Sequence, residues 1–150
     1  MYRDRKGNYH KKPKNITPKK RKSSYGIYIR NNEILLVKPV WTNYLEIPRG
    51  GVENDENLIQ ALKREFLEET GFLIKKLDEN PIHKTTTKFY ADDLDIFYSS
   101  ELNFFIIKEL ENQNQKLVDK TEIREIKFVK ISELTSKNMN DFQLEIIKVI

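Results

Sequence analysis

The segment from Pro48 to Gly71 constrains the fold more than any other stretch of the chain. Pro48 cannot donate to a sheet and Gly50-Gly51 free the backbone, so a short strand over Tyr44 to Ile47 is expected to stop there. Asn57 and Gln60 carry the N-cap and N3 chemistry of a capping box, and Gly71 is the residue type that closes a helix in the left-handed conformation. Between those caps Ile59, Leu62, Phe66 and Thr70 recur at helical spacing and form one core-facing stripe. The segment therefore reads as loop, helix, loop, with one face of the helix committed to a core.

On either side of it the pattern is mostly that of strands. Tyr25, Ile27 and Ile29 alternate with more polar neighbours, Asn31-Asn32 supply a turn, and Ile34 to Val37 return as the second arm of a hairpin. Further strands are expected over Phe72 to Leu77, Thr86 to Tyr90, Leu94 to Tyr98, Leu102 to Lys108 and Ile126 to Ile131, with a polar loop at Asn112 to Asp119. Asn140 to Ile150 reads as a closing amphipathic helix that buries Phe142, Leu144, Ile146, Ile147 and Ile150. These elements specify an α+β domain whose mixed central sheet lies between helices.

Charge divides the chain in two. Residues 1–24 hold ten Lys or Arg against Asp4 alone, which leaves 17 basic and 22 acidic groups for residues 25–150: +9 beside −5. The division places a basic arm, mobile for want of apolar side chains, before one domain at 25–150. As a polyphosphate or RNA contact the arm competes with a simpler reading as a solubilising tail. Without cysteine, disulfides, thiolate metal sites and cysteine nucleophiles are excluded. No apolar run approaches the ~20 residues that span a bilayer and no secretory signal is evident, so a soluble, cytoplasmic protein with no membrane partner is expected.

Glu65, Glu68 and Glu69 fall within one face of the expected helix, beside Arg64. Like charges at this spacing destabilise a helix, and oxygen-only donors on a rigid element suit Mg²⁺, or Mn²⁺, which also bind substrate phosphates. Gly50, five residues, Glu56, seven residues, Arg64-Glu65, then Glu68-Glu69 and Gly71 match the fixed letters of the Nudix box, and the chain resembles the Nudix hydrolase family from this segment outward. Phe66 and Phe72 stand at usually aliphatic sites, Asn54-Asp55 replace a common Pro-Gly turn and Asn57 replaces a Ser or Thr cap; none of these removes a ligand.

The resemblance implies an αβα sandwich with a catalytic loop-helix-loop, and metal-dependent hydrolysis of a pyrophosphate bond in a nucleoside diphosphate linked to a moiety X. It implies that Glu65 and Glu69 are principal metal ligands, that Glu68 shares the cluster, that Glu56 is an additional ligand or acts through another, and that Arg64 orients the carboxylates. The backbone carbonyl of Arg49 is similar in position to a metal-binding carbonyl. Glu65 takes the base role within the box; Glu122, six residues before Phe128, is the rival outside it, with Glu125, Asp92, Asp93 and Asp95 competing.

Leu45-Glu46-Ile47-Pro48-Arg49-Gly50 resembles the lead-in of ADP-ribose pyrophosphatases and makes Glu46 a candidate substrate contact, whereas Tyr90, eighteen past Phe72, is similar in spacing to a tyrosine of dinucleoside polyphosphate hydrolases. Lys38 and Arg49 are candidate phosphate contacts, and Trp41, Tyr44, Phe89 and Tyr90 have faces on which a base can stack. Three readings follow: a hydrolase of small nucleotides such as ADP-ribose, dinucleoside polyphosphates or NTPs; an RNA 5′ pyrophosphohydrolase that uses residues 1–24; and a nucleotide-sensing module without catalysis. A homodimer is compatible with each.

Overall fold

The computed structural model describes residues 1–150. In chain order the strands before the first helix are β1 (Tyr2–Arg3), β2 (Tyr9–His10), β3 (Lys19–Ile27), β4 (Ile29–Arg30), β5 (Glu33–Pro39) and β6 (Arg49–Gly51). They are followed by α1 (Leu58–Thr70), β7 (Leu73–Leu77), β8 (His83–Ala91), β9 (Ile96–Glu111), β10 (Ile123–Lys130) and α2 (Asp141–Lys148). The larger sheet runs β2-β1-β8-β9-β3-β6 with β7 on the far end of β9, and the smaller runs β10-β5-β4. β3 pairs with β9 in parallel, from Lys19 opposite Tyr98 to Ile27 opposite Ile106, while β8 runs antiparallel to β9 and β6 antiparallel to β3, so the sheet is mixed.

The core has two main layers. Tyr25, Ile27, Ile34, Leu36, Ile47 and Phe104 pack against Leu144, Ile146 and Ile147 of α2. On the other side Leu35, Phe105 and Ile107 pack against Leu62 and Phe66 of α1. β5 is buried on both faces, which is why Ile34 to Val37 is an unbroken apolar run rather than an alternating one. The helices flank the sheets as expected, and no helix is long and apolar enough to cross a membrane.

Several boundaries differ from the sequence reading. Ordered structure does not begin at Tyr25: the boundary set at residue 24 falls inside β3, and β1 and β2 form a small hairpin docked on β8. Tyr2, 6 % exposed, packs edge-on against Phe97, and Asp4 accepts hydrogen bonds from the backbone of Lys6 and Asn8 and pairs with His10. The expectation of mobility weighed side-chain hydrophobicity alone; here backbone pairing to β9 and a few anchoring side chains order a segment whose charged heads reach solvent.

The Asn31-Asn32 turn is present, both residues at positive φ, yet the hairpin closes only on Ile29-Arg30 because the chain leaves the larger sheet at Tyr28. Pro48 precedes a strand instead of ending one, and Leu45 and Glu46 make isolated bridges. The two strands expected over 94–108 are one, because Ser99 to Glu101 pair with β3 and β8 on both sides and are not a turn. In α2, Gln143 is buried while Phe142 is exposed, and the helix ends at Lys148, leaving Ile150 beyond it and exposed.

Candidate active site

α1 is held at both ends by the residues that define it. Asn57 accepts from the Gln60 amide at 2.8 Å, the Gln60 side chain accepts from the Asn57 amide at 2.9 Å, and Gly71, at φ 76°, donates to the Leu67 carbonyl. Leu62, Phe66 and Thr70 face inward, which turns Glu65 and Glu69 toward the loop that carries β6. The helix meets that loop at Gly50: a Cβ there would lie 1.8 Å from Cγ of Glu65. Any other residue would displace Glu65.

Arg64 gathers the neighbouring acids. Its Nε and Nη2 grip Glu56 at 2.8 and 2.9 Å, Nη1 donates to Glu65 at 2.8 Å, and Nη2 also reaches the Gly51 carbonyl at 3.1 Å. The bidentate pair holds the Glu56 carboxyl down at about 2. Burial acts the other way on the helix acids, pushing Glu65 up and Glu69 up to about 8, although the Arg49 amide donates to Glu69 at 3.0 Å.

Glu65 and Glu69 line one wall of a cleft of about 330 Å³ together with Glu46, Arg49 and Gly50. Pro39, Val40, Trp41, Thr121 and Glu122 complete the lining. Glu46 is 5 % exposed, its Oε2 has no hydrogen-bond partner, and burial pushes its carboxyl up. Trp41 is 51 % exposed at the rim. Its loop is fastened at both ends, by the Val40 amide on the Glu122 carbonyl at 2.8 Å and by Arg124 Nη2 on the carbonyls of Pro39 and Thr42.

Of the residues singled out in the sequence, Glu46, Arg49, Glu65, Glu69 and Glu122 thus meet in one cleft, and Arg64 and Glu56 support it. Three do not take the expected position. Glu68 has a side chain 51 % exposed and lies 3.8 Å from Arg64, outside the cleft, because the helix turns it toward solvent when Glu65 and Glu69 face inward. Lys38 pairs with Glu125 at 3.2 Å and does not line the cleft. Tyr90 donates to Asp95 at 2.7 Å and stacks on Phe97 and His10; β8 is separated from β3 and β6 by β9, which keeps Tyr90 away from the carboxylates. Arg124 was missed, since an arginine that clamps a loop more than eighty residues away has no local signature.

No three acidic side chains converge closely enough to hold one ion between them. The donors nevertheless fit a hard divalent cation: they are oxygens only, Glu65 is pressed onto the Gly50 backbone, Glu69 is desolvated without a cationic side chain bonded to it, and Glu46 presents an unpartnered buried oxygen.

A family model described as the NUDIX domain matches residues 20–150. An ADP-ribose pyrophosphatase of Bacillus subtilis (strain 168) is 31 % identical over 98 residues, which is 65 % of this chain and 46 % of that protein, so the chain spans less than half the length of this curated relative. Among solved structures, a MutT NUDIX hydrolase from Burkholderia pseudomallei superposes with a TM-score of 0.69 at 14 % identity, covering 87 % of this chain and 97 % of that one. A mutator MutT protein from Bacillus halodurans gives 0.66 at 19 %, covering 85 % and 80 %. At such identities the likeness is one of fold.

Proposed function

Because this chain belongs to the Nudix family, we propose that it is a divalent-metal-dependent hydrolase of the pyrophosphate bond in a nucleoside diphosphate linked to a second moiety, with ADP-ribose and related small nucleotides as the substrate class. The observation that carries the reading is the joint presence of Glu65 and Glu69 on one cleft wall beside the Arg49 loop. Support for the substrate class comes from the Glu46-Ile47-Pro48-Arg49-Gly50 lead-in and from the activity named for the Bacillus subtilis relative. A cleft of about 330 Å³ suits a pyrophosphate with one attached group.

In this reading Glu65 and Glu69, with the Arg49 carbonyl, hold Mg²⁺ or Mn²⁺. When bound, the cation offsets the charge of the substrate phosphates and lowers the pKa of water. The chain supplies the rest. Arg64 fixes Glu56 and one oxygen of Glu65, so the carboxylates keep their positions when substrate arrives. Glu65 accepts the proton of the attacking water; Glu122, in the same cleft, is the alternative acceptor. The Arg49 guanidinium contacts a phosphate, and Trp41 offers a face to the base or the leaving moiety.

A panel of ADP-ribose, diadenosine polyphosphates, NTPs, sugar nucleotides and 5′-triphosphorylated RNA, assayed with Mg²⁺ and product identification, tests this. Release of AMP and a phosphorylated X from the first class supports it. Ligand binding by calorimetry with no product from any member would favour the nucleotide-sensing reading instead.

A further inference from the structure

One half-buried cation of this fold is left without a counter-charge. Arg21 projects from β3 on the face that carries Tyr25, and its guanidinium lies 4.1 Å from the ring centroid of Tyr98 and 5.2 Å from that of Phe89. Nε donates to Ser100 Oγ at 2.7 Å, which fixes the plane of the fork, while the terminal nitrogens have no acceptor. No carboxylate pairs with it. Burial together with the like charge of Arg49 pushes the guanidinium below its ordinary value.

Its position relative to the cleft follows from strand register. Arg49, on the cleft wall, is opposite Tyr25 and lies over its ring at 5.8 Å. Arg21 is four residues along the same face, about 13 Å away at ~3.3 Å per residue. β6 ends at Gly51 opposite Ser23, so no strand lies beyond β3 at Arg21, and Lys19, exposed, follows on the same face. Half-burying a guanidinium without any acid beside it opposes folding unless an anion uses it. Planar stacking on aromatic rings with the outer edge free is the arrangement in which arginine forks a phosphate.

We infer that Arg21, along the sheet from Arg49, forms a subsite for a phosphate group that the substrate carries beyond its scissile pyrophosphate, an inference that rests on the pyrophosphohydrolase reading above. That phosphate has two sources: a phosphomonoester on a small nucleotide, or the first phosphodiester of an RNA 5′ end.

Two ligand pairs separate them, each made non-hydrolysable by an α,β-methylene bridge and titrated calorimetrically with Mg²⁺ present. One pair is methylene ADP-ribose with and without a 2′-phosphate; the other is methylene ATP and the same triphosphate on the dinucleotide ApA. The full chain prefers the member bearing the extra phosphate by about tenfold in one of the pairs, as expected for one charge-assisted contact. Arg21→Gln removes the preference and Arg21→Lys restores part of it. Preference in the first pair identifies a small nucleotide, in the second an RNA end. Equal affinities within both pairs, or a preference that survives Arg21→Gln, would overturn the inference. Thermal unfolding accompanies each variant, and Arg21→Met, which keeps the aliphatic cover of Tyr98, replaces Arg21→Gln should the latter not fold. Since these analogues report binding alone, a wild type that binds them but hydrolyses no substrate defeats the pyrophosphohydrolase reading and leaves the subsite standing.

Discussion

Glu56 and Glu69 belong to one motif, yet the fold holds them at opposite ends of the carboxylate range, at about 2 and about 8. A bidentate arginine stabilises the first as an anion, whereas loss of water destabilises the second. The folded pKa of Glu69 lies above its ordinary 4.5, so metal-free protein loses stability as pH rises from about 4.5 to about 8, and a cation must displace a proton at any pH below about 8. We expect Mg²⁺ affinity to rise with pH up to about 8, and proton release on binding at pH 7 to scale with buffer ionisation enthalpy in calorimetry. Flat affinity between pH 6 and 8.5 would contradict the assignment of Glu69 as a ligand. Glu69→Gln should cut turnover at least about 100-fold and leave the unfolding midpoint at pH 9 equal or higher, because it removes a buried charge. The motif letters announced these carboxylates, but their inequality comes from burial, which no spacing encodes.

At the scale of elements, α1 was readable almost to the residue, since its signals are local: Asn57 and Gln60 cap it and Gly71 ends it. Asn57→Ala should cost about 1 kcal/mol in chemical denaturation with catalysis retained. Gly50→Ala should do the reverse. The added Cβ collides with Glu65, so kcat falls steeply while the far-UV spectrum is unchanged. The strands were less legible. Their existence showed in apolar alternation, but β9 was divided at Ser99 to Glu101 and β3 was truncated at Tyr25, because polar residues there are supported by partners far away in sequence, such as Arg21 on Ser100. The Trp41 loop depends on a similar distant contact. Arg124→Ala should raise KM for nucleotide substrates more than it lowers kcat, and equal effects on both would argue against a substrate-facing role for that loop.

Across the whole molecule, the charge division that suggested an arm beside a body describes one continuous structure. Residues 19–27 form a strand between β9 and the short edge strand β6 of the larger sheet, and residues 2–10 cap its other edge. Deleting residues 2–23 should therefore abolish cooperative unfolding, whereas deleting residues 2–10 should only lower the midpoint; a folded, active protein after the longer deletion would show that β3 is dispensable. Parallel pairing of β3 with β9 also has a consequence during synthesis. Arg21 and its partner Ser100 are 79 residues apart, so at roughly 5–20 residues per second β3 waits about 4–16 s for the strand that completes it. Throughout that interval its edge is unpaired, and Lys19, Lys20, Arg21 and Lys22 repel another nascent copy that would otherwise pair with it. The same positive charges that open β3 in the finished sheet act earlier as a guard against aggregation on the ribosome.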